Sequence, residues 1–162
     1  MLVSKRIPFA LLVGAALLLT AGHGLAQDQG IADAIKTRQH KLKDIVGKDA
    51  KAISDELKSG MPDKAVVIAN ATEIDATLRD LPSWFPKGSG PEAGIKTLAK
   101  PGIWESPDDF KKAYDAAQAA ADKFVQIAQT GDLNAETTAF MSLGMSCGGC
   151  HKPFRVKPEG AP

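Results

Sequence analysis

The only two cysteines of the chain stand three residues apart in the stretch SCGGCHKPFR, residues 146–155, with His151 directly after the second. A disulfide between Cys147 and Cys150 would close so short a loop that it adds little constraint. A structural zinc site needs about four ligands. No second cysteine pair exists, and the only other histidine beyond residue 26 is His40. A thioredoxin-like dithiol expects a βαβ setting, yet no run of alternating β-branched and aromatic residues appears. What remains is C-x-x-C-H, the attachment signature of c-type haem. Each thiol adds to one vinyl group, making two thioether bonds, and the adjacent imidazole reaches the iron from the same side. Cys147 and Cys150 are therefore read as the attachment points of one covalent haem c, with His151 as iron ligand. Gly148 and Gly149 leave room for the porphyrin edge.

The N-terminal stretch MLVSKRIPFALLVGAALLLTAGHGLAQ reads as a leader. Lys5 and Arg6 precede an apolar run from Ile7 to about Leu19, and the stretch closes on the small residues Gly24-Leu25-Ala26. This is the three-part pattern of a secretory signal peptide, with cleavage expected after Ala26. The run falls short of the roughly 20 residues that a bilayer core demands. Residues 1–26 are thus expected to be a cleaved signal peptide and residues 27–162 a single domain with its own core. Removing Lys5 and Arg6 from 20 bases leaves 18 against 19 acids, a net charge of −1. Such a balance provides no electrostatic footprint for nucleic acid. No later segment is apolar enough to span a membrane, and export into a bacterial periplasm is expected.

Four segments carry helical periodicity. The first, about Gly30 to Ser59, has Ile31, Ile35, Leu42, Ile45, Val46, Ile53 and Leu57 on one stripe. Arg38 falls on that stripe, either as a snorkelling exception or as the partner of something buried and anionic. The second, about Pro62 to Leu81, carries Val67, Ala71, Ile74, Leu78 and Leu81, and Pro62 suits a first helical turn. A long connection rich in proline and glycine follows at 82–106. Its Trp84, Phe85 and Trp104 suggest that it packs on the body. The third helix opens at SPDDF, with Ser106 as N-cap, and carries Phe110, Ala113, Ala117, Ala120, Phe124 and Ile127. The fourth begins near Asn134, a candidate N-cap, and puts Phe140, Leu143, Cys147, Cys150, His151 and Phe154 on one side, facing the core. Pro153 bends or ends it. Four amphipathic helices around one core predict an all-α, antiparallel four-helix bundle with covalently bound haem c.

Several stretches resemble cytochrome c′ and the cytochromes c-556, the class II c-type cytochromes. IKTRQHKLKDI is similar to the family's first-helix R-Q-x-x-[L/M] segment. LPSWF resembles its turn after helix two, and PGIWESPDDFKKA the segment that opens helix three. CGGCHKPFR resembles its C-x-x-C-H-x-x-[Y/F]-R ending. The resemblance covers essentially the whole chain after residue 26. It implies that the haem lies within the bundle, that His151 is the proximal ligand, and that the residue four after Arg38 faces the distal side. In the c-556 branch that residue is methionine, a sixth ligand; here it is Leu42, which has no lone pair to give iron and can only fill space. The resemblance further implies that Arg38 pairs with a haem propionate, that Gln39 donates a hydrogen bond there, and that Arg155 is a base beside the proximal pocket.

No other side chain is expected at the distal position. His40 lies roughly 200° round the helix from Leu42 at the 3.6-residue period. Lys41 and Lys43 point away from Leu42. Met141 and Met145 share the helix of His151 and are expected to be core or rim residues, and Met61 lies at a turn. The expected function is therefore a periplasmic haem protein with five-coordinate iron, binding NO or CO and capable of one-electron transfer. The alternative is a c-556-type electron carrier with six-coordinate haem and a periplasmic redox partner. The absence of a distal acid–base pair argues against an enzyme. The resemblance also implies a homodimer through helices one and two.

Overall fold

The computed structural model describes residues 19–158, with side chains from Asp28 onward. It divides at Gly30. The described part of the first unit is helical; the second, from Ile31, holds the core. Most of the expected leader lies outside the described residues.

Helix continues without a break from Leu19 to Lys58: α1 (Leu19–His40), a π-helical turn (Lys41–Val46), then α2 (Gly47–Lys58). Helix therefore begins well before the expected Gly30. In the π turn the Gly47 N–H donates to the Leu42 carbonyl, five residues back. The spacing of the inward residues explains the wide turn. Arg38, Leu42, Val46 and Ala50 follow one another in four-residue steps, and each step overshoots an α turn by about 40° at 3.6 residues per turn. A π turn takes up that excess, so Leu42, Val46, Ala50, Ile53 and Leu57 all reach the same core.

Gly60, at φ 76°, turns the chain. The next helix, α3 (Lys64–Arg79), starts two residues later than expected. Pro62 stands before it, and the Asp63 carboxylate caps it by accepting from the N–H groups of Ala65 and Val66. The predicted stripe holds: Val67, Ala71, Ile74, Leu78 and Leu81 are all buried. The connection contains two 3₁₀ turns (Leu81–Trp84 and Pro91–Ala93) and the short helix α4 (Gly102–Glu105). Trp84 is buried, and the Trp104 indole N–H donates to the carbonyls of Phe85 and Pro86, so the connection does pack on the body.

Helix α5 (Pro107–Ala128) opens with Pro107 in its first turn, but Ser106 makes no capping bond through its side chain. After Gly131, at φ 74°, α6 (Leu133–Phe154) is capped by Asp132 rather than Asn134, its carboxylate accepting from the N–H groups of Asn134 and Ala135. Pro153 falls in the last turn, so it ends α6 without bending its body. The bundle helices are thus the α1–α2 rod, α3, α5 and α6. Among the described residues there is no strand, only one isolated bridge between Ala99 and Arg155.

The core centres on Ile53, Val67, Ile74, Leu78, Ala121, Phe124 and Leu143. Helix α3 packs between α2 and α5, and α5 packs along α6. The seam between the rod and α6 is the thinnest of the four, with α2 touching α6 over a short contact only. A second cluster of Ala99, Ile103 and Phe154 stacks through Phe110 onto Phe85, with edge-on ring centroids 5.3 Å and 5.2 Å apart. It closes the end of the bundle where α6 finishes.

Candidate haem site

Helix α6 presents the motif as one helical turn. Cys147 and Cys150 are half-buried and free of any disulfide. Cys147 packs against the main core and Cys150 against the Phe154 cluster, so each thiol is anchored in a different hydrophobic group. Burial pushes both thiols above their ordinary pKa, which keeps them protonated at neutral pH. His151 does not face the core as the periodicity predicts; it is exposed. The buried stripe of α6 runs through Glu136, Ala139, Leu143 and Phe154, and His151 stands on its outer flank. Desolvation by the surrounding chain, then the charge of Arg155, lowers the pKa of His151 and favours the neutral imidazole that a metal requires.

The flank of α6 that carries His151 is open. A Cβ placed on Gly144 or Gly148 would meet nothing within 4 Å. Met141 and Met145 are 57% and 71% exposed, which excludes the core half of the expected core-or-rim placement. Two thiols one turn apart, a following imidazole and an open, glycine-lined flank are a donor set and a space that fit a covalent haem. Among the described residues no three His, Cys, Asp or Glu side chains cluster as a metal-ion site.

On the rod, Leu42 is half-buried and packs against the main core. His40 faces solvent and meets Asp44 at 3.0 Å, one helical turn on. Met61 is 88% exposed at its turn. Arg38 is only 3% exposed and does not snorkel. Its Nη1 donates to Ser89 Oγ at 2.9 Å and, weakly, to the Trp84 carbonyl at 3.4 Å. Its Nη2 donates to the Ser89 carbonyl at 2.6 Å and to Thr97 Oγ1 at 2.7 Å. The guanidinium also lies 4.9 Å from the centre of the Phe85 ring. Burial drives its pKa down to about 10, against the attraction of Glu92. Gln39, exposed, donates to the Lys96 carbonyl at 2.8 Å. The described partners of both residues therefore belong to the connection, which they strap onto the rod just before the π turn.

Arg155 is exposed. Its N–H donates to the His151 carbonyl at 2.9 Å, and its backbone pairs with Ala99. The structure thus brings Cys147, Cys150, His151 and Arg155 together at the end of α6, and sets Arg38, Gln39 and Leu42 on the rod beside the connection. Sequence reasoning missed Ser89 and Thr97, the acceptors of Arg38. A lone Ser and Thr in a loop carry no signal of a buried cation some 50 residues earlier.

The family model described as Cytochrome C′ matches residues 33–155. Cytochrome c′ of Pararhodospirillum photometricum is 38% identical over 126 residues, covering 75% of this chain and 94% of that protein. Cytochrome c-556 of Agrobacterium tumefaciens (strain II Chrys) is 35% identical over 127 residues, covering 78% and 99%. Among solved structures, the nitric oxide complex of a leucine variant of cytochrome c prime from Alcaligenes xylosoxidans superposes with a TM-score of 0.70 at 27% identity, covering 79% of this chain and 97% of that one. A match that runs from α1 through the motif to Arg155, at such identity over nearly whole relatives, means that the chain belongs to the cytochrome c′ family and carries one covalent haem c through Cys147 and Cys150.

Proposed function

We propose that the protein is a periplasmic haem protein with five-coordinate iron that takes NO or CO and can pass a single electron. One observation carries the reading. In the rod segment expected on the distal side Leu42 is half-buried against the core, while His40 and Asp44 face solvent and bind each other. Leucine gives iron no lone pair, and axial ligation decides between ligand binding and electron transfer. The nitric oxide complex of the Alcaligenes relative supports the gas-binding side of this reading.

Bound haem would supply a redox-active iron able to take a small ligand; the chain supplies the rest. Cys147 and Cys150 would hold the macrocycle and His151 would provide the proximal nitrogen, its neutral form favoured by desolvation first and by the charge of Arg155 second. Leu42 excludes water and larger ligands, and offers no hydrogen bond to favour O₂. Arg38 and Gln39 are the groups for the propionates. A propionate at Arg38 would share the guanidinium with Ser89 and Thr97. Residues 1–26 would direct export, and the rod with α3 would form a homodimer. No helix among the described residues is long and apolar enough to cross a membrane.

A second reading is a six-coordinate electron carrier, favoured by the c-556 relative at 35% identity. Optical spectra of the ferric and ferrous holoprotein with and without CO separate the two. A high-spin spectrum that converts promptly on adding CO is expected. A low-spin spectrum unresponsive to CO would establish the carrier instead.

A further inference from the structure

The end of α6 is more basic than anything the function above uses. Segment Leu98–Lys100 lies against the end of the helix. The Lys100 N–H donates to the Phe154 carbonyl at 2.9 Å, and the Val156 N–H to the Leu98 carbonyl at 2.7 Å. Lys100 Nζ then donates to the Lys152 carbonyl at 3.0 Å. This pairing sets Lys100 beside Lys152, Arg155 and Lys157, residues otherwise about 50 positions away in the chain. The last three are exposed, and none of the four has a carboxylate within ion-pair distance among the described residues. Elsewhere the cations are often matched: Lys51 with Asp55, Lys111 with Asp115, Lys112 with Asp109, and Arg79 with both Asp75 and Asp122. Along the chain the nearest acid to Lys100 is Glu105 on α4, and the nearest to Lys157 is Glu159, which lies outside the described residues. Among the described residues, a chain of net charge −1 after residue 26 therefore gathers unmatched positive charge around the turn that carries His151.

The surface has an apolar part as well. Met141, Met145 and Lys152 stand four and then seven residues apart, so they share one stripe of α6, and Arg155 is the residue directly after the helix. All four are exposed. Two methionines make an adaptable contact surface, and the unpaired cations rim it at the end nearest the haem attachment. Apolar contacts with a charged rim are the anatomy of a transient interface. Opposite charge on a partner would steer its approach.

We infer that this stripe and its basic rim are the docking surface for an acidic electron-transfer protein, which exchanges its electron with the haem through the end of α6. The inference rests on the haem reading and names the partner's chemistry. Each encounter moves one electron from the reduced partner to the ferric iron, leaving the partner oxidised by one electron and the iron ferrous.

The test uses the holoprotein and an acidic flavodoxin as probe. Binding is read first, by amide shift changes in ¹⁵N-labelled holoprotein, which needs no electron transfer. Shifts centred on Lys100, Met145 and Lys152–Lys157 are expected. Reduction of the ferric haem by flavodoxin hydroquinone is then followed by stopped flow. The rate should fall with added salt, and should drop by about 10-fold or more at low salt in the Lys100→Glu/Lys152→Glu/Lys157→Glu variant. Lys43→Glu/Lys51→Glu serves as the control and should match the parent. The haem spectrum and melting temperature of each variant establish that it has folded. Shifts scattered over the surface, a rate indifferent to salt, or an equal loss in the control would overturn the inference. A pyridine haemochrome spectrum without c-type haem would sink the haem reading by itself, while the shift map would still report on the surface.

Discussion

Replacing Arg38 with methionine keeps an unbranched stem and removes every donor, so it isolates the strap between rod and connection. The magnitude follows from the partners. Ser89 is fully buried, and Arg38 donates to both its hydroxyl and its carbonyl. Orphaning two buried acceptors costs about 1–3 kcal/mol each. The Thr97 hydroxyl suffers less, because it still accepts from the Ala99 N–H at 3.2 Å. Loss of the Phe85 ring contact adds about 1 kcal/mol. Against this, the parent carries the burden of a buried cation. The lowering of its pKa to about 10 by burial corresponds to roughly 3 kcal/mol at 1.36 kcal/mol per unit. The net expectation is a destabilisation of about 2 kcal/mol, dominated by Ser89. Urea denaturation of the holoprotein, followed by far-UV circular dichroism, measures it. Adding Ser89→Ala removes one of the two orphans, so the double variant should recover part of the loss. Faster hydrogen exchange should appear at amides 84–97 before the rest of the bundle. An Arg38→Met protein as stable as the parent, with no recovery in the double variant, would refute the strap.

Leu42→Met restores a thioether where Leu42 now stands, and a low-spin ferric spectrum with slowed CO binding is expected; an unchanged high-spin spectrum would mean that the side chain does not face the iron. Glu136 is 1% exposed and neither carboxylate oxygen has a hydrogen-bond partner. Burial raises its pKa, with Asp132 adding and Lys64 opposing, so stability is greatest below the unfolded carboxylate pKa and declines as pH rises through the folded one. Glu136→Leu should therefore gain about 1–3 kcal/mol over the parent at pH 7, and urea midpoints should show the gap narrowing toward pH 4. Cys147→Ser should leave a single thioether, seen as a red-shifted pyridine haemochrome band; a band unchanged from the parent would show that Cys147 carries no haem.

Much of the fold is local in origin, and that part was legible. The stripe of α3 matches the buried residues because a 3.6-residue period projects directly onto one face, whereas in α5 Ala117 and Phe124 are buried as expected but Ala121 and Ala128 take the core places expected of Ala120 and Ile127. The cap of α6 was misplaced by two residues: Asn134 and Asp132 are both good caps, and only the backbone shows which carboxylate or amide reaches the free N–H groups. The outward turn of His151 was not legible either. A stripe drawn wide enough to include both cysteines takes in its flank, and only the position of α5 and the core separates flank from centre.

Attachment of the haem is a property of the sequence alone, since two thiols and an imidazole within five consecutive residues meet by covalent geometry in any helical turn. The same holds for the all-α class, which repeated apolar spacing dictates. The surroundings of that turn belong to the tertiary structure. Arg38 finds its acceptors 46 to 59 residues away, the π turn forms because Leu42, Val46 and Ala50 must reach one core, and Lys100 joins the basic rim through a backbone pairing with Val156 and Phe154. Contacts of such separation depend on how the helices pack, and packing energy is spread over the whole core rather than written at any one residue.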